Sequence, residues 1–336
     1  FNHERTYGIE MEINTNTPAQ TIAREIQEQF ERDGIRQFCA VEGLSHGTPM
    51  NWKIVSDGSV HPGFEIVSPI LSGYDGKAQI ESVCKALRNF GNRIWNSSQT
   101  GLHVHHGTDD LTGQEIGYVF ATYSAFQSTF NMMVSPSRRR NRFCQNLDWS
   151  LLTSNGSDKL RDHREAVCEN ILSKMVQLMG NERVARYTTV NICSVFPNSR
   201  RMPQGHGTIE FRQHQGSTNA KKIWSWILVT QSLMESSKEK RNYAKPLTAT
   251  STQSNRGELN RLQTVCAVIP TYHVRQRNAA QGRRALEPGV VEACTPYMEA
   301  YKYFAQRVRN FSRALINENR ALPTRRRASD DQDLDE

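Results

Sequence analysis

The sequence predicts an α+β fold in which strands with one buried face alternate along the chain with amphipathic helices. In the strand Tyr7–Asn14, apolar residues alternate with glycine, glutamate and asparagine, which is the period expected for a half-buried strand. Apolar residues spaced four apart, at Ile22, Ile26 and Phe30, predict a helix directly after it. A chain of 336 residues is long enough to bury a substantial core between these elements.

Further strands are predicted where short apolar or alternating runs end at turn residues, at Asn51–Ser56, Phe64–Pro69, Thr100–Gly107, Tyr187–Phe196 and Gly207–His214. We expect the polar face of the last strand to carry Thr208, Glu210, Arg212 and His214. Helices are predicted from Thr17 (as N-cap) to Gly34, at Lys77–Ile94, Asp158–Met179 and Asn219–Ser236, and from the capping box of Thr112 and Glu115 to about Val134.

The composition changes after Ser237 and divides the chain. Residues 238–257 are polar and rich in Ser and Thr, which predicts a linker or long loop. Weaker helical patterns predict a helical C-terminal extension over residues 258–320. Residues 321–336 form a charged tail that is expected to be disordered.

Charge and cysteine content narrow the function classes without deciding between them. The net charge of +8 suits either nucleic acid or anionic small substrates. No apolar run approaches the length of a transmembrane helix, which argues against a membrane protein. Seven cysteines without a C-x-x-C pair favour a reducing compartment, and hence a cytoplasmic location.

The strand Thr100–Gly107 reads T-G-L-H-V-H-H-G and places His103 and His105 on one face, with His106 on the other. Taken alone, such a pair is more typical of an exposed edge strand than of a binding site. Two other strands repeat the pattern, however, and a fourth adds a carboxylate: Glu10 with Glu12, Glu210 with Arg212, and Glu65. Polar faces of ordinary sheets carry mixed Thr, Lys, Arg, Gln and Ser, so this repetition of Glu and His favours a functional face.

The glutamates on this face repel one another, so they require nearby cations. Two carboxylates about 5 Å apart repel each other by roughly 3 kcal/mol at an effective dielectric constant near 20. Oxygen-rich sites with one or two imidazoles favour Mg²⁺ or Mn²⁺ over structural zinc. These ions usually serve phosphate chemistry, in which they bridge phosphate oxygens and offset developing charge.

A basic loop offers phosphate ligands. Pro136–Arg142 reads P-S-R-R-R-N-R, and guanidinium groups grip phosphate oxygens in bidentate fashion. Taken alone, the run fits a solvated loop equally well. There is neither a Walker loop nor a G-x-G-x-x-G motif, so a nucleotide would be held by metals and arginines on a sheet.

A resemblance rests on motifs that occur in a fixed order: Y-G-I-E-M-E-I, S-D-G-S-V, F-E-I-V-S-P, T-G-L-H-V-H-H-G, P-S-R-R-R-N-R-F-C, R-Y-T-T-V-N and G-T-I-E-F-R-Q-H-Q-G-S. Together they resemble the amidoligase family over about residues 5–236. That family is grouped with glutamine synthetase and glutamate–cysteine ligase among the carboxylate–amine ligases. The resemblance implies a glutamine-synthetase-like fold for residues 1–237, with a curved antiparallel sheet, flanking helices, and a concave face that holds metals and ATP.

The resemblance also implies roles for individual residues. The implied metal ligands are Glu10, Glu12, Glu65, His103 and Glu210. The residues implied to contact the nucleotide phosphates are His105, Arg138, Arg139 and Arg212. Those implied to act in the reaction are Arg212, Glu210 and Asp57, the last of them near the incoming amine.

The predicted activity is ATP-dependent formation of an amide or isopeptide bond through an acyl-phosphate, with Mg²⁺ or Mn²⁺. The substrates would be a carboxylate and an amine on small molecules, peptides or proteins, and their identity stays open. One alternative is a metal-dependent hydrolase that uses the H-x-H strand with zinc. The other is a basic nucleic-acid-binding protein, which is disfavoured because the glutamate-rich strands repel phosphate unless metals intervene.

Overall fold

The computed structural model describes residues 2–43, 48–139, 141–147, 186–195, 206–239, 296 and 298–307. The predicted helix Asp158–Met179 and the charged tail 321–336 lie outside these residues. So do residues 240–257 of the predicted linker.

Eight strands in the described part of the chain form one sheet. Their bounds are Tyr7–Thr15 (β1), Cys39–Val41 (β2), Trp52–Val55 (β3), Gly63–Val67 (β4), Ile94–Trp95 (β5), Gly101–Gly107 (β6), Val190–Asn191 (β7) and Thr208–Gln215 (β8). The order is β2-β3-β4-β1-β6-β8-β7, and β5 pairs with the end of β1. Only β2 and β3 are parallel among these pairs. The α+β prediction is therefore confirmed as a mostly antiparallel open sheet with flanking helices.

The helices are Ala19–Arg32 (α1), Gly73–Asn89 (α2), Gly113–Ala125 (α3), Gln127–Met133 (α4), Ala220–Glu239 (α5) and residues 298–307 (α6). Short 3₁₀ turns cover Gly91–Arg93, Pro136–Arg138 and Cys193–Val195. None of the described helices combines the length and hydrophobicity needed to span a bilayer. The four cysteines that the structure describes, Cys39, Cys84, Cys144 and Cys193, are free thiols.

Four predicted boundaries need correction. Helix α2 ends at Asn89 and not at Ile94, which begins β5. The capping box of Thr112 and Glu115 is present, but the helix it opens is interrupted at Phe126, whose φ of −104° and ψ of 15° leave helical geometry. The first helix has Pro18 as N-cap instead of Thr17, and no side chain caps it. The predicted strand Tyr187–Phe196 keeps only β7, because a 3₁₀ turn follows.

The core lies on the apolar face of the sheet. Tyr7, Ile9, Met11 and Ile13 alternate along β1 and are all buried, as their period-two spacing predicts. Helices cover this face: the ring of Tyr7 lies 6.1 Å from that of Trp224 on α5. The polar residues between them therefore lie on the opposite face of the sheet.

A β-bulge interrupts the pairing of β6 with β8. Leu102 is paired with His214 and Val104 with Phe211, so β8 has one extra residue at this point. Gln213 and His214 both turn to the helices: Gln213 accepts a hydrogen bond of 2.6 Å from Tyr123, and the His214 ring lies 5.2 Å from Trp226. The expectation that His214 shares the polar face is wrong, because strict alternation ends at the bulge.

Helix α6 belongs to the predicted C-terminal extension and packs against the sheet-bearing part of the chain. The Phe304 ring lies 5.9 Å from Trp226 of α5, and Arg307 Nε donates a 2.9 Å hydrogen bond to the carbonyl of Met133. At least this part of the extension thus shares the core of the preceding residues.

Candidate active site

Strand pairing brings the predicted ligands together on the polar face. The register places Glu12 opposite Glu65 and Glu10 opposite His103. It also places His105 opposite Glu210. Residues paired across neighbouring strands point to the same face, so four strands contribute to one cluster.

This cluster lines a cavity of about 680 Å³. All predicted metal ligands line it, namely Glu10, Glu12, Glu65, His103 and Glu210. Asp57, His105, Arg138 and Arg212 line it as well. Arg139 is the one predicted site residue that is not part of its lining in the described chain, and its guanidinium donates instead to the carbonyl of Val134 at 3.4 Å.

Glu10 is held between the two histidines of β6. One carboxylate oxygen lies 2.8 Å from His103 Nδ1, and the other lies 3.2 Å from His105 Nε2. Burial by itself raises the pKa of Glu10, but the charge of His105 and hydrogen bonds from both imidazoles outweigh it and hold the pKa well below its usual range. Glu10 is therefore ionised at neutral pH.

Glu210 is also ionised and fully engaged. Arg212 donates a short hydrogen bond to one oxygen, and Asn191 Nδ2 donates to the other at 2.7 Å. Burial favours the neutral acid, but the guanidinium of Arg212 outweighs it and lowers the pKa of Glu210. Asn191 comes from β7, so the end strand of the sheet positions this carboxylate.

Glu65 stands apart because its carboxylate has no hydrogen bond or ion pair within the described part of the chain. Burial raises its pKa well above the usual range, and the charges of Glu10, Glu12 and Asp57 raise it further. One oxygen of Glu12 accepts a hydrogen bond from the backbone N–H of Gly101, which keeps that carboxylate in place. An arrangement in which several carboxylates share too little positive charge fits a site for divalent cations.

Donor atoms form three overlapping sets that could each hold a cation. Within each set the atoms lie within 4.8 Å of one another, and the sets are Glu10–Glu65–His103, Glu10–His105–Glu210 and Glu12–Asp57–Glu65. Oxygen donors outnumber nitrogen donors in every set, which favours Mg²⁺ or Mn²⁺ over zinc. Asp57 thus lies beside the carboxylates, and its Oδ1 also accepts a 2.7 Å hydrogen bond from Ser59 N.

Two arginines lie at the β8 end of the cavity. Arg138 is 2% exposed, and its guanidinium donates a 2.7 Å hydrogen bond to the carbonyl of Arg212. The guanidinium of Arg212 donates to the carbonyl of Phe143 at 3.3 Å and lies 5.8 Å from the ring of Tyr187. These contacts fix two cationic planes beside the carboxylate cluster, which is an arrangement suited to phosphate oxygens.

Four further residues line the cavity but were not predicted as site residues from the sequence: Lys53, Tyr187, Asn191 and His206. A lysine in a strand is ordinarily solvated, and Asn191 lies in a segment predicted only as a strand. Tyr187 and Asn191 do fall in the R-Y-T-T-V-N motif, which is the signal that could have found them.

His206 and Thr48 join the two ends of the site. Thr48 Oγ1 lies 2.9 Å from His206 Nδ1, and both residues line the cavity. Thr48 precedes β3 and His206 precedes β8, and three strands lie between these two in the sheet. The contact therefore connects two sides of the cavity that are three strands apart in the sheet.

Comparison with known proteins gives one family match. Residues 3–234 match the model of a family described as "Putative amidoligase enzyme". No curated protein matches the chain. Among solved structures, the chain is similar to one from the crystal structure of the complex between prokaryotic ubiquitin-like protein Pup and its ligase PafA, with 10% identity, a TM-score of 0.38, and coverage of 95% of this chain and 69% of that one. A likeness this distant carries no weight for function.

Proposed function

Since the chain belongs to the amidoligase family, we propose that it is an ATP-dependent carboxylate–amine ligase that forms an amide or isopeptide bond through an acyl-phosphate. We extend the proposal to a glutamine-synthetase-like sheet in residues 1–237. The observation that carries it is the convergence of four glutamates, three histidines and three arginines on one cavity. Metal-binding carboxylates beside phosphate-binding guanidinium groups are what phosphoryl transfer to a carboxylate requires.

The proposed metal ligands are Glu10, Glu12, Glu65, His103 and Glu210. A divalent cation bound there would neutralise phosphate oxygens and the negative charge that develops during transfer. The raised pKa of Glu65 supports the proposal, because a bound cation would replace the positive charge that its surroundings lack.

The phosphoryl group would be handled by the β8 end of the cavity. The substrate carboxylate oxygen attacks the γ-phosphorus of ATP, the bond to the β-phosphate oxygen breaks, and ADP leaves. Arg212 and Arg138 would hold the transferring phosphoryl oxygens, and His105 would face the phosphates from β6. Arg139 points to the carbonyl of Val134, so any contact of Arg139 with the nucleotide requires another rotamer.

The amide bond forms in the second step. The amine nitrogen attacks the acyl carbon, phosphate leaves with the electron pair of the broken C–O bond, and the nitrogen loses a proton. Asp57 is the proposed acceptor of that proton, because its carboxylate lines the cavity and lies within 4.8 Å of the Glu12 and Glu65 oxygens.

The proposal is tested by ADP release from the full chain in the presence of pooled carboxylates and pooled amines with Mg²⁺ or Mn²⁺. We expect release that depends on both substrates, and Glu210→Gln should abolish it. Glu81→Gln, which changes a half-exposed glutamate of α2 far from the cavity lining, is the matched control and should keep full activity. Activity of Glu210→Gln near that of the wild type would overturn the role of Glu210.

The same preparation distinguishes the two alternatives. Tightly bound stoichiometric zinc with no nucleotide dependence would favour the hydrolase. Salt-dependent RNA or DNA binding that survives loss of Glu10, Glu12 and Glu210 would favour the nucleic-acid-binding protein. The burial of Arg138 argues against the latter, because a guanidinium turned into the cavity is not presented to a nucleic-acid backbone.

A further inference from the structure

Helix α6 lies outside the residues that match the family model, yet one of its side chains contacts the segment that leads to Arg138. Arg307 Nε donates a 2.9 Å hydrogen bond to the carbonyl of Met133, which lies 174 residues earlier in the chain. Met133 is the last residue of α4, and the 3₁₀ turn Pro136–Arg138 follows shortly after it. Arg307 therefore binds the backbone just before the guanidinium that lines the cavity.

The carbonyl of Met133 needs a donor from outside its helix. The last four carbonyls of a helix have no partner within it, and Val134 leaves helical geometry with a φ of −111° and a ψ of 166°. Met133 is fully buried, so an unpaired carbonyl there would be costly. Arg307 supplies the donor, and its Nη1 also donates to the hydroxyl of Tyr303 at 3.3 Å, which orients the guanidinium on α6.

The backbone between α4 and Arg138 is held by a second contact. The N–H of Ser135 donates a 2.9 Å hydrogen bond to the side-chain oxygen of Gln215 on β8. The carbonyl of Ser135 accepts a 3.0 Å hydrogen bond from the N–H of Arg138. One contact from α6 and one from β8 thus fix the segment that leads into the turn, so a shift of the Met133 carbonyl would move the turn as well.

Arg138 has little room for such a shift. Its guanidinium donates a 2.7 Å hydrogen bond to the carbonyl of Arg212, and a methyl group on Gly101 would lie only 2.9 Å from its Nη2. Misplacement of a binding group by about 1 Å can lower a reaction rate by about 10²-fold, even when its cause lies far from the chemistry. The placement of the turn therefore decides whether this guanidinium meets phosphate oxygens.

We propose that Arg307 is a positioning residue for Arg138, so that the C-terminal extension completes the nucleotide site. The inference rests on the proposed function, which assigns Arg138 to the transferring phosphoryl oxygens. Arg307 is not part of the cavity lining in the described chain, so it acts through α4 and the 3₁₀ turn without touching the nucleotide. A part of the chain that the family match does not cover thereby gains a role in the reaction.

The test measures whether Arg307 acts through Arg138. Isothermal titration would follow binding of the non-hydrolysable β,γ-imido analogue of ATP, with Mg²⁺, to the full-length wild type, Arg307→Met, Arg138→Ala and the double variant. Residues that modulate a site without touching its ligand change affinity by about 3- to 30-fold, which is the weakening expected for Arg307→Met. In the Arg138→Ala background the same change should weaken binding by less than about twofold, because the group that Arg307 positions is absent. Equal fold-changes in the two backgrounds, no change included, would overturn the inference.

Further variants separate position from charge. Lys302→Met removes the same charge from an exposed position of α6 and should bind the analogue as tightly as the wild type does. Arg307→Lys keeps the charge and a donor and should retain part of the affinity. Arg307→Ala takes the place of Arg307→Met if the latter does not fold, as judged by near-UV circular dichroism. Equal weakening by Lys302→Met and Arg307→Met would indicate a general effect of charge and refute the positioning role.

Hydrogen exchange of the ligand-free protein keeps this inference separate from the proposed function. Loss of the Arg307 contact should speed exchange of the amides of Arg138 and Arg139, which donate to the carbonyls of Ser135 and Pro136, by about 3- to 10-fold. Unchanged exchange would overturn the inference whether or not the analogue binds, and binding to the wild type would then leave the ligase proposal standing. Faster exchange in a protein whose wild type does not bind the analogue would refute the ligase proposal and leave the positioning of Arg138 in place.

Discussion

Strand β6 carries histidines on both faces of the sheet, and the two faces use them differently. On the helix side, His106 is fully buried and its Nε2 lies 2.8 Å from Thr230 Oγ1, and burial lowers its pKa well below the usual range. On the cavity side, burial also lowers the pKa of His105, but the charge and hydrogen bond of Glu10 outweigh burial and raise it. The pKa values of two neighbouring histidines are thus shifted in opposite directions.

The difference shows what each face tolerates. The helix face accepts a polar side chain when it is neutral and hydrogen-bonded, because an unpaired charge in a core is costly. The cavity face concentrates titratable groups, and burial together with the neighbouring carboxylates raises the pKa of Glu65 there. Changes on the cavity face should therefore affect activity and metal response, and changes on the helix face should affect stability.

After the loss of activity expected for Glu210→Gln, the largest expected effect comes from Glu65→Gln. Loss of a metal-binding carboxylate should lower the rate of ADP release by about 10²- to 10³-fold, as loss of one electrostatic contact in an active site does. The same variant should make the metal-free protein more stable by about 1–3 kcal/mol, because it relieves repulsion between carboxylates. Activity assays and urea unfolding with and without a chelator measure both effects.

Glu81→Gln, on the surface of α2, is again the control and should change neither quantity. A Glu65→Gln variant that is less stable than the wild type in chelator would show that the carboxylate is not held in repulsion. That result would contradict the proposed difference between the cavity face and the helix face.

The second effect contrasts His106→Ala with His105→Ala. His106→Ala removes a packed side chain and leaves Thr230 without that partner, so it should cost about 2–4 kcal/mol of unfolding free energy. Its kcat, measured well below the unfolding temperature, should stay near that of the wild type. His105→Ala should show the reverse, with a rate loss of about 10²-fold. Equal loss of activity in both variants would contradict this division.

A third effect is a pH dependence that belongs to the helix face. Burial lowers the pKa of His214 to about 3, so the unfolded chain binds a proton that the folded chain does not between about pH 6.5 and 3. Stability should therefore fall as the pH drops through this range, by up to about 1.4 kcal/mol per pH unit for this group. In urea unfolding at pH 7, 6, 5 and 4.5, His214→Gln should lose less stability than the wild type. Parallel curves would refute the assignment.

The smallest effect is expected within the arginine run. Arg139→Ala should change the KM for ATP by less than about threefold, since substitutions away from a site typically shift free energies by about 0.5 kcal/mol. Arg138→Ala removes a guanidinium that lines the cavity and should raise this KM by more than tenfold, as loss of a hydrogen bond to a charged group does. Initial-rate kinetics at saturating acid and amine measure both, and equal effects would contradict the difference in placement.

Much of the cavity face could be predicted because the side chains of a regular strand alternate between the two faces of the sheet. Period-two alternation placed Glu10 and Glu12 opposite the buried residues of β1, and His103 and His105 opposite His106 on β6. Convergence of several such strands then followed from their shared pattern of ligand-type residues.

The remainder depends on tertiary contacts that alternation does not encode. The bulge in β8 turns His214 to the helices, and Phe126 divides a helix whose apolar pattern runs through it. Lys53 belongs to a residue type that is usually solvated, and only the sheet order reveals that it lines the cavity. The resemblance implied Arg138 and Arg139 alike, and only the folding of the 3₁₀ turn shows that Arg138 lines the cavity. Position in the sequence could not distinguish Arg138 from Arg139.

The bulge in β8 also constrains how this site can be transferred into another protein. Strict alternation would put Glu210, Arg212 and His214 on the same face of β8. The extra residue at the bulge turns His214 to the helix face instead. Before the bulge, the even-numbered residues of β8 face the cavity, and after it the even-numbered His214 faces the helices. A graft onto a regular strand would turn an imidazole of the core toward the cavity, so residues 208–215 should be transplanted as a single cassette with their irregularity intact.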